Sequence, residues 1–182
     1  KNFGKQKYQD EIKHIITYQR RNHFIRKLTL DLKGNTLVLY NYVEKHGKPL
    51  YENIKMHADE KRKIFFVSGN TATSDREAIR MIVEKQKNSI IVASLGTFST
   101  GINIRNLHNI VFASPSKSQI RVLQSIGRGL RKTDNGKNTT LYDIVDDISW
   151  KSRKNYGILH ADERLRIYGR EKFTHKTYKV QL

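Results

Sequence analysis

Arg121, Gln124, Arg128 and Arg131 recur at intervals of three, four and three residues. At roughly 100° per residue, a helix places all four on one face about 80° wide. Ile120, Leu123, Ile126 and Leu130 form the opposing apolar face. The planar, permanently charged guanidinium grips phosphate oxygens in pairs, so three arginines and an amide suit phosphate chemistry. Two readings stand at this point: a phosphate-facing element, and a solvated basic stripe of the kind most helices carry.

Other chemistries find less support. Gly96-Thr97-Phe98-Ser99-Thr100-Gly101 resembles the start of a phosphate loop, but Ile102-Asn103 follows where Lys-Ser/Thr is required. No Asp-Glu pair ends a strand in the manner of a Walker B element, and Asp146 and Asp147 read as caps for the segment at Trp150. Such a chain is not expected to cradle and cleave a triphosphate unaided. Cysteine is absent and the seven histidines are scattered, so disulfides, Cys zinc sites and paired His ligands have no basis; metal ligands are expected to be none. Neither a Ser-His-Asp set nor a dinucleotide fingerprint supports a small-molecule α/β enzyme.

Convergent arginines without a phosphate loop suit a bipartite design. One lobe binds ATP and Mg²⁺, and a second supplies arginines across a cleft, worth ~10³–10⁵ in rate.

Charge points toward a polyanion. Thirty-five Lys and Arg face seventeen Asp and Glu, a formal net charge of +18. Residues 1–35 and 150–182 each hold nine basic and three acidic residues, net +6, and are denser in charge than the centre. No apolar run approaches the ~18 residues of a membrane helix, so a soluble cytoplasmic protein without a membrane partner is expected. The first residues, Lys-Asn-Phe, suggest a piece of something longer.

The elements positioning these residues follow from pattern. A helix is expected from Tyr8 to about Phe24, then a basic connector through Lys33-Gly34-Asn35. Thr36–Tyr40, Ile64–Ser68, Ser89–Ser94, Asn109–Ser114 and Thr140–Val145 are continuous apolar runs, as strands covered on both faces would be. Helices are expected at Leu50–Met56, after a Ser74-x-x-Glu77 capping box, and from Ser118. Alternating strands and helices give a doubly wound α/β layer, mostly parallel, with helices on both faces. After Trp150 a basic helical extension follows, with Leu159, Leu165 and Ile167 packing back, then a strand-like Thr177–Val180. Ligands of such sheets gather at the strands' carboxyl ends, here Asn41, Ser68-Gly69, Ser94 and Ser114-Pro115-Ser116, which also suit simple turns.

In order, Leu37–Asn41, Val67–Gly69 followed by Arg76-Glu77, Ile91–Ser94 leading to Gly101-Ile-Asn103, and Gln124-x-x-Gly-Arg128-x-x-Arg131 resemble motifs IV, V and VI of superfamily 2 helicases. The resemblance spans residues 36–149 and implies a RecA-like second lobe, with 1–35 leading from a preceding lobe and 150–182 a basic extension. It implies Arg128 and Arg131 as phosphate-sensing and finger arginines, with Gln124 in the same cleft. Gly101 and Asn103 would sit at the nucleotide, and Asn41, Ser68, Gly69, Ser94 and Lys117 along the nucleic-acid track. Ser68 stands where many relatives carry histidine, and Asn103 where many carry aspartate. ATP and Mg²⁺, held by an N-terminal RecA-like lobe, are the implied cofactors. Branched or duplex DNA, or an RNA–DNA hybrid, is the implied partner. The competing class is a nucleic-acid-binding module without ATPase activity.

Overall fold

The computed structural model describes residues 2–101, 104, 106–114 and 139–182. Five parallel strands form one sheet in the order β2-β3-β1-β4-β5: β1 (Thr36–Tyr40), β2 (Ile64–Val67), β3 (Ile90–Ser94), β4 (Asn109–Phe112) and β5 (Thr140–Asp143). The strand runs read from sequence are all present, but four are shorter than their apolar runs. Ser68, Ser89, Ala113-Ser114 and Ile144-Val145 fall outside the ladder.

Every residue of β1 is buried, because β3 and β4 pair with its two edges and helices cover both faces. Alternation sorts its side chains. Leu37 and Leu39 join Val83 of α4 (Thr73–Lys85) and Tyr168 of α6 (Tyr156–Arg170) in one core. Val38 and Tyr40 join Ile25 of α2 (Gln19–Asp31) and Leu50 and Ile54 of α3 (Lys48–His57) in the other. The expected doubly wound layer is therefore the observed one.

The leading segment differs from its expected single helix. Helix α1 (Asn2–Thr17) and α2 are separated at Tyr18, whose ψ of 110° is extended. Asn22 stabilises the break by donating from Nδ2 to the Ile16 carbonyl at 2.9 Å, satisfying one of the acceptors a helix end leaves open. Ile12, Ile15, Ile16 and Ile25 are buried, so this segment contributes apolar surface to the folded body.

Asn35 is the hub of the opposite sheet edge. Its Oδ1 accepts from the Ser89 amide at 2.8 Å, and its Nδ2 shares its protons among the carbonyls of Val83, Gln86 and Asn106. Burial of an amide is tolerated there because it is fully partnered. Gly34, beside it, has φ +91°, and a Cβ would meet His108 Cγ at 2.6 Å.

Three further expectations are corrected. Helix α4 begins at Thr73 with Ala72 in the capping position and no side-chain cap bond, and Glu77 pairs with Arg80 instead of closing a box with Ser74. Leu159 and Leu165 are exposed, whereas Gly157, Ala161, Arg164 and Tyr168 form the buried face of α6. Thr177–Val180 adopts no regular element. Among the described residues, no helix is long and apolar enough to cross a membrane.

Candidate functional site

Parallel pairing places all five carboxyl ends at one edge of the sheet. Tyr40 is opposite Ser94, and Val67 is opposite Ala93, so Ser68, Ser94 and Asn41 follow one another along that edge. Asn41 meets Ser114 directly, its amide donating to Ser114 Oγ at 3.0 Å. Four of the sequence-selected residues, Asn41, Ser68, Gly69 and Ser94, thus share an edge. Gly101 lies at the end of α5 (Leu95–Gly101). Asn103, Lys117, Arg121, Gln124, Arg128 and Arg131 lie outside the described residues, as does the helix expected from Ser118.

The loop after β2 is pinned in place. The Ser68 amide donates to Thr71 Oγ1 at 3.0 Å, and Arg76 donates from Nε to the Thr71 carbonyl and from Nη2 to that of Gly69. Gly69 is exposed, with nothing within 4 Å of where a Cβ would lie. Among the described residues, none crowds this position.

Ser94 has a local task. Its hydroxyl bonds Thr97 Oγ1 at 2.5 Å and accepts from the Thr97 amide at 3.3 Å, capping the start of α5. The Gly96–Gly101 stretch is therefore a capped helix, not an open phosphate-holding loop. Among the described residues, no cluster of His, Asp or Glu has the makings of a metal site.

Sequence reasoning missed a buried polar relay behind this edge. His46 lies in a π-helical turn, Val43–Gly47, and is fully buried. The Asn41 amide donates to Ser114 Oγ, and His46 Nδ1 lies 2.9 Å from that hydroxyl. His46 Nε2 lies 3.2 Å from Asn22 Oδ1. Because Asn22 spends its Nδ2 on the Ile16 carbonyl, its Oδ1 is the acceptor. This assigns the imidazole proton to Nε2 and leaves Nδ1 to accept from Ser114. The relay joins α1 and α2 to the edge where Asn41 sits.

Gly47 ends the π-turn with its amide donating to the Tyr42 carbonyl at 2.8 Å, and a Cβ there would lie 2.5 Å from Tyr40 Cζ. Only glycine lets the turn close over the Tyr40 ring.

Arg21, also buried, donates from Nε to Asp146 Oδ1 at 2.6 Å; its Nη1 and Nη2 have no partner among the described residues. Asp146 is thus tied to α2, whereas Asp147 accepts from the Ser149 amide as the expected local cap. No sequence signal separates Arg21 from the neighbouring charges of Arg20, Arg26 and Lys27, because its partner is 125 residues away.

Burial first, and the Arg21 charge second, lower the His46 pKa from 6.5 to about 3. The unfolded chain therefore binds a proton that the folded chain refuses between those values. The contribution is complete above pH 6.5 and declines as pH falls toward 3, by at most ~1.4 kcal/mol per pH unit. We expect His46→Gln to flatten the loss of stability between about pH 6.5 and 5, where carboxylates are still ionised. Denaturant melts across that interval provide the check; equal slopes in both proteins would contradict it.

Comparison with known proteins fits this geometry. Residues 19–133, more than half of the chain, match the helicase conserved C-terminal domain. The ATP-dependent DNA helicase UvsW of Enterobacteria phage T4 is 38% identical over 188 residues, covering 96% of this chain. The chain spans 37% of that relative's length. The crystal structure of T4 UvsW superposes with a TM-score of 0.75 at 37% identity, covering 90% of this chain and 35% of that one. The C-terminal part of the Fun30 ATPase domain shares the fold at 13% identity, with a TM-score of 0.54 over 86% of this chain and 55% of that one. A five-stranded parallel RecA-like sheet and a family match over most of its strands have one common reading: the chain belongs to the helicase conserved C-terminal domain family.

Proposed function

We propose that this chain is the second lobe of an ATP-dependent DNA helicase, contributing one wall of an ATP site completed by a preceding RecA-like lobe. The observation that carries the reading is the pairing of Gln124-x-x-Gly-Arg128-x-x-Arg131 with the absence of a Walker A sequence. The helical capping of Gly96–Gly101 agrees with it. Arg128 and Arg131 act on the γ-phosphate of ATP-Mg²⁺ bound by the other lobe, Gln124 supports them, and Gly101 and Asn103 meet the nucleotide. Asn41, Ser68, Gly69, Ser94 and Lys117 line the DNA track. Ser68 and Ser94 serve it through position more than through free hydroxyls, since both are largely buried. Residues 1–35 lead from the first lobe, 36–149 form the second, and 150–182 extend it. The dense basic flanks suit branched DNA, such as forks, Holliday junctions and R-loops, in recombination and repair, with RNA–DNA hybrids as an alternative duplex. The name of the T4 relative, an ATP-dependent DNA helicase, supports the use of ATP and DNA.

The chain by itself is expected to bind DNA and turn over no ATP. If about six phosphates are neutralised, affinity falls roughly 10³-fold between 50 and 200 mM salt. Titrations of labelled duplex at several salt concentrations, with a parallel phosphate-release assay, test both halves. ATP turnover by the pure chain, or DNA affinity indifferent to salt, would overturn the proposal.

A further inference from the structure

The single tryptophan of the chain lies in water. Trp150 is 75% exposed, although burying an indole is among the larger apolar gains available to a fold. Its backbone is nonetheless closely defined. The Trp150 amide donates to the Arg153 carbonyl, and the Arg153 amide returns the bond to the Trp150 carbonyl, both at 3.1 Å. Lys151 and Ser152 form the tip, with Lys151 at φ +54°.

A buried bracket holds the base of this turn. Asn155 Oδ1 accepts from the Ile148 amide and Ser149 Oγ, while Nδ2 donates to the Asp146 carbonyl and Glu11 Oε1. Glu11, from α1, also accepts from the amides of Tyr156 and Gly157 at 3.0 and 2.8 Å, capping α6 from a distance. The turn is therefore anchored to both the first and the last helix.

The turn carries three cations, with the exposed carboxylate of Asp147, held on the Ser149 amide, at its base. No acidic residue occurs from Ile148 through Ala161, and Lys151, Arg153 and Lys154 are all exposed. Lys154 is paired with Asp162, and Lys151 and Arg153 are the other two cations of the turn. Residues 144–149 link this turn to the carboxyl end of β5.

An exposed indole on a doubly hydrogen-bonded turn that also carries two exposed cations fits one ligand chemistry: a base that has left its pair, with phosphates beside it. Stacking of that kind contributes ~1–3 kcal/mol per base without regard to sequence. We infer that the Trp150–Arg153 turn is a stacking site for an unpaired nucleobase, Lys151 and Arg153 holding the adjoining phosphates. The inference rests on the DNA-binding reading and adds to it a preference for unpaired strand. At a branched substrate the turn receives the first base freed from the duplex.

Because Trp150 is the chain's only tryptophan, its emission reports the site without labelling. The whole chain is titrated with a dye-labelled single-stranded oligonucleotide and with a duplex of equal phosphate number whose two ends are closed by base-free hexaethylene glycol linkers. Dye anisotropy reports binding, and indole emission reports stacking. Single strands are expected to quench Trp150 as they saturate, and the closed duplex to leave it unchanged. Trp150→Ala should lower single-strand affinity about 5- to 100-fold and spare duplex affinity, with Trp150→Phe recovering part of the loss. Anisotropy that rises while emission stays constant would overturn the stacking site but not DNA binding. Equal quenching by both DNAs, or wild-type single-strand affinity in Trp150→Ala, would also overturn it. Absence of any anisotropy change would instead remove the DNA-binding reading beneath it.

Discussion

Arg131→Ala, in a protein where this chain is joined to a lobe bearing a phosphate loop, is expected to lower DNA-stimulated ATP hydrolysis by about 10³–10⁵. DNA affinity and fold should stay near wild type. The magnitude follows from where charge develops: the transferred phosphoryl group spreads negative charge over its equatorial oxygens, and a guanidinium delivered across the cleft stabilises it only there. Arg131→Lys should recover little, since a point charge does not reproduce the planar fork. Steady-state hydrolysis at saturating DNA and ATP, with circular dichroism as the control on folding, reads the effect. A mutant that hydrolyses ATP normally but no longer binds DNA would assign Arg131 to the phosphate backbone. The chain would then be better described as a binding module.

The second large effect concerns stability. Asp143, the last residue of β5, accepts from Arg164 Nε and Nη2 at 2.7 and 2.9 Å and from the Tyr168 hydroxyl at 2.8 Å. Arg164 is buried, and Tyr168 keeps its proton because burial, and then the Asp143 charge, push its pKa up. Asp143→Ala leaves the guanidinium without its counter-charge, a change that costs about 3–5 kcal/mol. At 2–4 °C per kcal/mol for a chain of this size, the melting temperature should fall by roughly 10 °C. Asp143→Leu combined with Arg164→Met should be milder than Asp143→Ala alone, because no buried charge is then stranded. Thermal melts of the three proteins decide the matter; an unchanged midpoint in Asp143→Ala would show that the pair contributes nothing. Helix α6 also carries the far side of the Trp150 bracket, so loosening it should blunt the stacking signal as well.

What the sequence disclosed and what it hid follow from the range of the interactions. Thr36–Tyr40 was legible because a strand enclosed on both faces must be apolar at every position, and the run ends where burial ends. The expected strands ran on through the serines after β2 and β4, whereas the ladders end at Val67 and Phe112. Ser74-x-x-Glu77 has the form of a capping box, yet Arg80, one turn along, offers Glu77 a full charge and wins it. The apolar stripe chosen for α6 failed for a related reason: that helix buries Arg164 on its inner face and leaves Leu165 outside.

Among polar residues, Asn41, Ser68, Gly69 and Ser94 were expected at strand ends, a local feature, and parallel topology carries them to one edge. His46, Arg21 and Glu11 were not, since each acts on a partner 24 to 146 residues distant. A lone histidine before glycine and an arginine in a basic run have no distinguishing local pattern. The arginine element itself, Gln124 through Arg131, rests on its motif, as these residues lie outside those described.

The central claim is that this chain forms half of a divided ATP site, and reconstitution tests it most directly. The chain is joined to a RecA-like lobe carrying G-x-x-x-x-G-K-[ST], and ATP hydrolysis is followed with and without DNA beside the two separate halves. Negligible turnover by either half and DNA-stimulated turnover by the joined protein are expected. Turnover by the phosphate-loop lobe that joining this chain leaves unchanged would contradict it.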